Sequence, residues 1–195
     1  GGPVVGDIEL FARSRPSESA VIAITGSNGK STVTAMAGAM CEAAGWATVT
    51  AGNIGLPVLD ALCANPQARI YVLELSSFQL ETTYSLNASA AAVLNVSQDH
   101  LDRYDDLASY AGAKARIFQG TGIQVLRRDD PWRMHMRLPD RVVNTFGLDT
   151  PVTDDDWGIG TTDGSEWLAR GADLLMPVAE LGVPGRHNAA NALAA

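Results

Sequence analysis

Ala20-Val21-Ile22-Ala23-Ile24-Thr25-Gly26-Ser27-Asn28-Gly29-Lys30-Ser31-Thr32 decides the fold. Ala20 to Thr25 reads as a buried strand. A glycine turn follows, and a helical stretch runs from Lys30 to about Ala44, where Gly45 stops it. A strand, a glycine turn and a helix in that order make a cradle for phosphate. Gly26 and Gly29 let the backbone of Ser27 and Asn28 bend its N–H groups toward phosphate oxygens, and the helix amino terminus adds partial positive charge. Lys30 reaches terminal phosphates as a point charge. Ser31 suits a Mg²⁺ ion through its hydroxyl, with Thr32 supporting that shell. The match to GxxxxGK(S/T) is incomplete, because Ile24 stands where the first glycine belongs. A chance glycine turn is the competing explanation, and the joint occurrence of strand, turn and helix weighs against it.

Outward from the loop, strand and helix signals alternate. Ala47–Ala51, Ile70–Leu75, Ala90–Val96, Ile123–Leu126 and Arg141–Phe146 read as strands. Leu56–Ala64 reads as a short helix, and Asp105 or Asp106 caps a longer one ending near Phe118. This alternation predicts an α/β fold of the P-loop type: three layers, α/β/α, around a mostly parallel sheet. Beyond Asp154 the style changes. Trp157–Thr161 and Glu166–Ala169 flank an Asp163-Gly164 turn, and Leu174–Val178 extends them, which predicts a small antiparallel β-meander. His187 to Ala195 begins a last helix. The polar, proline-bearing stretch Arg13–Ser19 reads as a linker, with Gly1–Phe11 belonging to a preceding unit.

Composition sets limits on function. The chain has 195 residues, 46% of them hydrophobic, as in a globular domain with its own core. A net charge of -8 argues against nucleic acid as a partner. No apolar run is long enough for membrane insertion, and no signal peptide is evident, so a cytoplasmic protein is expected. Cys41 and Cys63 lie among apolar residues without zinc spacing, so buried, reduced thiols are expected. The chain opens without methionine and stops within a helix-like run, so both ends are expected to be segment boundaries.

Four polar features stand where the pattern calls for apolar or merely solvated residues. Glu74 interrupts the apolar strand Ile70–Leu75. A buried carboxylate needs a cation, a metal or a solvated strand end, and the first two stay open alongside the third. Lys114 sits inside the stripe formed by Leu107, Tyr110, Ala111, Ile117 and Phe118. Snorkelling to solvent is the ordinary outcome for such a lysine. A desolvated amine has the alternative of reacting with CO₂ to give a carbamate, an anionic metal ligand. His100 follows the fourth strand, which puts it at the same sheet edge as the loop, where a histidine binds metal, substrate or only water. Asn188 and Asn191 share a helix face suited to adenine or ribose, although helix capping explains Asn188 as well.

Thr25–Thr32, Gly52-Asn53-Ile54-Gly55, Leu73–Glu81, Asn95–Asp102, Lys114–Ile117 and Gly185–Asn188 occur in this order. Together they resemble the ATP-binding domain of the Mur ligases. The run Leu73–Glu81, with the serine-asparagine loop, is most similar to the branch that adds D-glutamate. Arg186 departs from the glutamine found in that branch. The resemblance implies residues 1–19 as the tail of an N-terminal UDP-binding domain plus a linker. It implies 20–195 as the central ATP-binding domain, with the N- and C-terminal domains elsewhere. It also implies ATP and Mg²⁺ as cofactors, and UDP-N-acetylmuramoyl-L-alanine and D-glutamate as substrates joined through an acyl phosphate in peptidoglycan synthesis. In that scheme Lys30, Glu74, His100 and Lys114 serve catalysis, and Ser31, Glu74, His100 and Lys114 serve metal. Asn53, Ser76, Gln79 and His100 contact the muramoyl-alanine end, and Asn188 and Asn191 face the nucleotide. The chain alone is expected to be inactive as a ligase. Two alternatives remain: another Mur-type or folylpolyglutamate-type ligase, and a nucleotide-binding interaction module. The second lacks the guanine-reading NKxD sequence here.

Overall fold

A computed structural model describes residues 4–98 and 103–195. Helix α1 spans Asp7–Ser14 and leads to strand β1, Ala20–Thr25. Helix α2 is Lys30–Ala43, β2 is Thr48–Gly52, α3 is Val58–Ala64 and β3 is Ile70–Glu74. A short helix α4, Ser77–Glu81, precedes β4, Ala90–Val93. Helix α5, Leu107–Ala115, runs on into a 3-10 turn over Arg116–Phe118. Next come β5, Ile123–Arg127, α6, Arg133–Met136, and β6, Val143–Phe146. Strands β7, Asp156–Thr162, β8, Ser165–Arg170, and β9, Asp173–Pro177, precede a last helix α7, Arg186–Ala194.

Among the described residues, nine strands form one sheet in the order β2-β3-β1-β4-β5-β6-β7-β8-β9. Pairing is parallel from β2 to β7 and antiparallel between β7, β8 and β9. The expected three-layer α/β/α fold with a mostly parallel sheet is thus the observed one. The meander continues the main sheet. Its β7–β8 turn places Asp163 at φ 49° and Gly164 at φ 73°, a backbone twist that suits the right-handed hairpin.

The strands lie between two apolar layers, which explains their unbroken apolar runs. On one face Val21, Ala23, Leu73, Leu75 and Val93 pack with α1, α3, α4 and the α5 segment. On the other, Ile24, Val72 and Ala92 pack with Val33 and Ala37 of α2 and with Ala189 and Leu193 of α7. Each fully buried Leu, Ile, Val or Phe contributes about 1.5–3 kcal/mol.

Helix α1 lies where the sequence suggests a preceding unit and linker, and it packs into the first of these layers. Ile8 and Phe11 are fully buried, and Phe11 meets Tyr71 edge-on at 5.0 Å. Glu9, also buried, accepts hydrogen bonds from the Tyr84 N–H at 2.7 Å, the Ser85 N–H at 2.8 Å and the Ser85 hydroxyl at 2.9 Å. Arg13 pairs with it at 2.7 Å. Burial alone would push this carboxyl up, but the two amides, the hydroxyl and the guanidinium outweigh it and hold it at about 2.

A second polar network braces the junction between the parallel and antiparallel parts. Arg128 reaches Asp149 at 2.7 Å, Asp156 at 3.6 Å and the Thr145 hydroxyl at 2.9 Å, and Thr145 donates to Asp156.

Two expectations need correction. Cys63 is exposed and Cys41 only partly buried, so neither is a core thiol. Cys63 follows the buried Ala61 and Leu62 but falls on the outer face of α3, while around Cys41 the apolar residues Ala39, Met40 and Ala43 are themselves exposed on the last turns of α2. Asn188 does not cap α7. Gly185 is the N-cap, without a side-chain bond, and Asn188 Nδ2 donates back to the Pro184 carbonyl at 2.8 Å.

Candidate functional site

In a parallel sheet every strand ends at the same edge, so β1 to β4 deliver their following segments to one place. The loop Gly26–Gly29 leaves β1, Gly52-Asn53 leaves β2, Glu74 ends β3, and Asn95 to Ser97 leave β4. Ladder register aligns them, with Ile24 opposite Glu74 and Gly52 opposite Glu74 on the other side.

The phosphate loop has the anticipated strand–turn–helix frame, but the Ser27 and Asn28 N–H groups expected to face phosphate are turned to Asn95, because the loop packs against the segment leaving β4. Gly29, at φ 86°, is the N-cap of α2. The positive φ favours glycine, and a Cβ there would stand 2.6 Å from Asn191 Oδ1, which shows how closely α7 abuts the loop. The first amides of α2, at Lys30, Ser31 and Thr32, have no partner within the helix and form its positive end. Lys30 folds back along the loop, its Nζ donating to the Gly26 carbonyl at 3.0 Å and the Ser27 carbonyl at 3.2 Å.

Glu74 is 2% exposed. Its Oε2 accepts from the Ser31 hydroxyl at 2.8 Å, and its Oε1 accepts from Asn53 Nδ2 at 3.1 Å. Three residues marked by the sequence thereby meet at the start of α2. Both hydrogen-bond donors are neutral, so they solvate the carboxylate without cancelling its charge. A buried anion beside a hydroxyl at a phosphate loop suits a hard divalent cation, which takes one or two carboxylates and fills its other positions with phosphate and water. Among the described residues, no three His, Cys, Asp or Glu side chains gather as a metal cluster.

Lys114 does not snorkel. It is 1% exposed, its Nζ donates to the Gly26 carbonyl at 3.0 Å, and it lies 4.4 Å from the centre of the Tyr110 ring. Two lysines from distant elements therefore share one loop carbonyl. Helix α5 is started by Asp106, whose side chain accepts from the Ser109 N–H at 2.7 Å. That cap fixes where α5 begins, and the buried face carrying Tyr110, Ala111 and Lys114 turns Lys114 to the loop.

Ser76 and Gln79 form a capping box on α4. The Gln79 N–H donates to Ser76 Oγ at 3.2 Å, and the Ser76 N–H donates to Gln79 Oε1 at 3.1 Å. The pair lies just past Glu74, at the same edge. His100 falls outside the described residues.

Two quoted motifs meet in contacts to which the sequence assigns no role. Asn95 pairs reciprocally with the backbone of Asn28, and Ser97 binds Ser27. A crevice of about 450 Å³ extends from the loop, lined by Asn28, Gly29, Asn95, Arg127, His187 and Asn191 among others. Arg127 belongs to it although nothing in its local sequence signals a site, whereas His187 lies within the Gly185–Asn188 motif. A neighbouring cavity of about 350 Å³ lies along Val178 to Arg186, lined by Leu148, Ile159 and Val183.

The sheet topology and the glycine loop at the end of β1 define the class: a P-loop-type α/β/α domain. The chain belongs to the Mur ligase middle domain family, which it matches over residues 24–195. It is 60% identical over 195 residues to the UDP-N-acetylmuramoylalanine--D-glutamate ligase of Methylobacillus flagellatus, covering 100% of this chain and 43% of that protein. It is 57% identical to the ligase of the same name from Thiobacillus denitrificans, covering 44% of it. The chain thus spans less than half the length of these relatives. Among solved structures, a UDP-N-acetylmuramoyl-L-alanyl-D-glutamate--2,6-diaminopimelate ligase superposes with a TM-score of 0.75 at 24% identity, over 96% of this chain and 44% of that one. E. coli FolC in complex with DHPP and ADP superposes with a TM-score of 0.65 at 18% identity, over 100% of this chain and 57% of that one. These two likenesses concern the fold alone.

Proposed function

We propose that this chain is the ATP- and Mg²⁺-binding part of a cytoplasmic ligase that joins D-glutamate to UDP-N-acetylmuramoyl-L-alanine in peptidoglycan synthesis. The observation that carries the reading is the contact of Ser31 with buried Glu74 at the mouth of the Lys30 loop, in a chain 60% identical to a ligase of that name. Residues 20–195 form the nucleotide domain in this reading, and residues 1–19 connect it to the preceding UDP-binding domain. The two partner domains make up the rest of the protein.

The reaction sets what the residues must do. A substrate carboxylate oxygen attacks the γ-phosphorus of ATP, the bond to the β-phosphate oxygen breaks, and ADP leaves. The amine of D-glutamate then attacks the acyl phosphate carbon, loses a proton and expels phosphate as the amide forms. Lys30 and the first amides of α2 hold the oxygens of the phosphoryl group in transit. Two of the Lys30 donors serve loop carbonyls, and the third suffices for a phosphate oxygen. Ser31 and Glu74 would hold Mg²⁺, with Lys114 as a carbamate and His100 beside a second ion. When bound, the cations screen the repulsion between substrate carboxylate and triphosphate. Asn53, Ser76, Gln79 and His100 face the muramoyl-alanine end, and Asn188 and Asn191 the nucleotide.

The test is acceptor choice by the intact protein. Phosphate release should require UDP-N-acetylmuramoyl-L-alanine, ATP and D-glutamate together. Turnover with L-alanine, meso-diaminopimelate or a folate with glutamate would overturn this substrate assignment and favour a sister ligase. Tighter binding of GTP than ATP would instead favour a nucleotide-switch module. The isolated 195-residue chain should bind Mg-ATP and form no amide.

A further inference from the structure

Between the phosphate loop and the exit of β4 lies a contact that the proposed chemistry leaves unused. The Asn95 side chain meets the Asn28 peptide unit as a second backbone would. Its Oδ1 accepts from the Asn28 N–H at 2.9 Å, and its Nδ2 donates to the Asn28 carbonyl at 2.9 Å. The neighbouring backbone joins in, the Ser27 N–H donating to the Asn95 carbonyl at 3.1 Å and the Ser97 N–H to Ser27 Oγ at 3.0 Å.

This fastening has a directional consequence. The amides of Ser27 and Asn28 are turned toward β4, and the chain must reverse at Gly29 to enter α2. The phosphate-facing donors are then those of the α2 amino terminus, and their place is set by where Asn28 is held. Asparagine suits the task because a short amide donates and accepts in one plane. Alanine does neither, and serine is too short to span both bonds.

From this geometry we infer that Asn95 is a positioning residue, which holds the phosphate loop open for a nucleotide triphosphate and ties it to the segment leaving β4. The inference rests on the nucleotide reading above and gives Asn95 a part in holding the loop, distinct from the phosphate and metal roles of Lys30, Ser31 and Glu74. Asn95 is only half-buried, so its loss acts on loop position more than on the core.

The test is a titration of the intact protein and its Asn95→Ala variant with Mg-ATP, Mg-tripolyphosphate and adenosine, alongside thermal melts. Asn95→Ala should weaken both phosphate ligands about tenfold, a loss of about 1.4 kcal/mol, with adenosine affinity and melting temperature near those of the parent. Equal losses for all three ligands, or Mg-ATP affinity within twofold of the parent, overturn the inference. If Asn95→Ala does not fold, Asn95→Ser reads the same split. A parent protein that binds neither Mg-ATP nor tripolyphosphate would bring down the nucleotide reading itself. A parent that binds both beside an unaffected variant would bring down only the role of Asn95.

Discussion

Glu74 shows what one residue signals when it breaks a pattern. An acid in an apolar strand is costly unless its surroundings answer it, and here a hydroxyl and an amide do so at the mouth of a phosphate loop. Glu74→Gln keeps an acceptor oxygen for Asn53 and offers an amide N–H that the Ser31 hydroxyl can accept, while removing the charge. The variant should fold, and the tightening of ATP binding by Mg²⁺ over EDTA should fall at least about tenfold in calorimetry. The loop and Glu74 were legible because their signals are local: a motif of adjacent residues, and one mismatch in a short run. Lys114 was half legible. Helical spacing placed it on the buried face, but its bond to the Gly26 carbonyl joins residues 88 positions apart. The Asn95 and Asn28 pair, separated by 67 positions, depended wholly on where β4 meets the loop.

At the scale of elements, the strands are readable from composition, and their ends differ by one to three residues, most at β4, where the apolar run to Val96 continues past a ladder that stops at Val93. Helix α4 was not read, although Ser76 and Gln79 carry the spacing of a capping box that could have revealed it. Helix α1 falls mostly in the stretch Gly1–Phe11 that reads as part of a preceding unit, and only its end reaches the linker Arg13–Ser19; its part in this core follows from burial of Ile8 and Phe11. Its anchor gives a pH prediction. The folded pKa of Glu9, about 2, lies below the ordinary 4.5. The stability it confers is therefore complete above about pH 4.5, declines as pH falls toward 2, and is gone below that. Glu9→Gln should remove about 3 kcal/mol at neutral pH and flatten the acid limb of stability between those values, as read by urea melts at stepped pH. Element joints also constrain glycine. Gly52 sits at φ 108°, and a Cβ there would lie 2.3 Å from the Glu74 carbonyl. Gly52→Ala should cost about 2–3 kcal/mol in denaturant melts and disturb the acid along with the turn.

For the whole molecule, one sheet carries two kinds of pairing, and the Arg128 network lies where they join. Arg128 is only 12% exposed on its side chain, and Asp156 14%. Removing the guanidinium leaves a largely buried carboxylate without its cation. Arg128→Leu should destabilise by about 3 kcal/mol, and amide exchange should rise first in β7 to β9 while β1 and β3 stay protected. The parallel core and the hairpins were both foreseeable from sequence, because periodicity and turn residues are local. Their fusion into one sheet was not, because the single parallel step from β6 to β7 rests on contacts at Thr145 and Phe146 that no local pattern records.

The ladder that sets Ile24 opposite Glu74 makes the contact of Glu74 with Ser31 tolerant of change in one direction and brittle in another. Val72 and Glu74 share one face of β3, while Leu73 and Leu75 occupy the other. Lengthening the connection at its exposed turn, Pro66-Gln67, moves only solvated side chains, so the acid stays beside Ser31. Sliding β3 past β1 by a single residue exchanges the faces, carrying the acid into the opposite apolar layer and a leucine into its place. Insertions should therefore accumulate harmlessly in that connection and be purged from the strand, whatever residue they introduce.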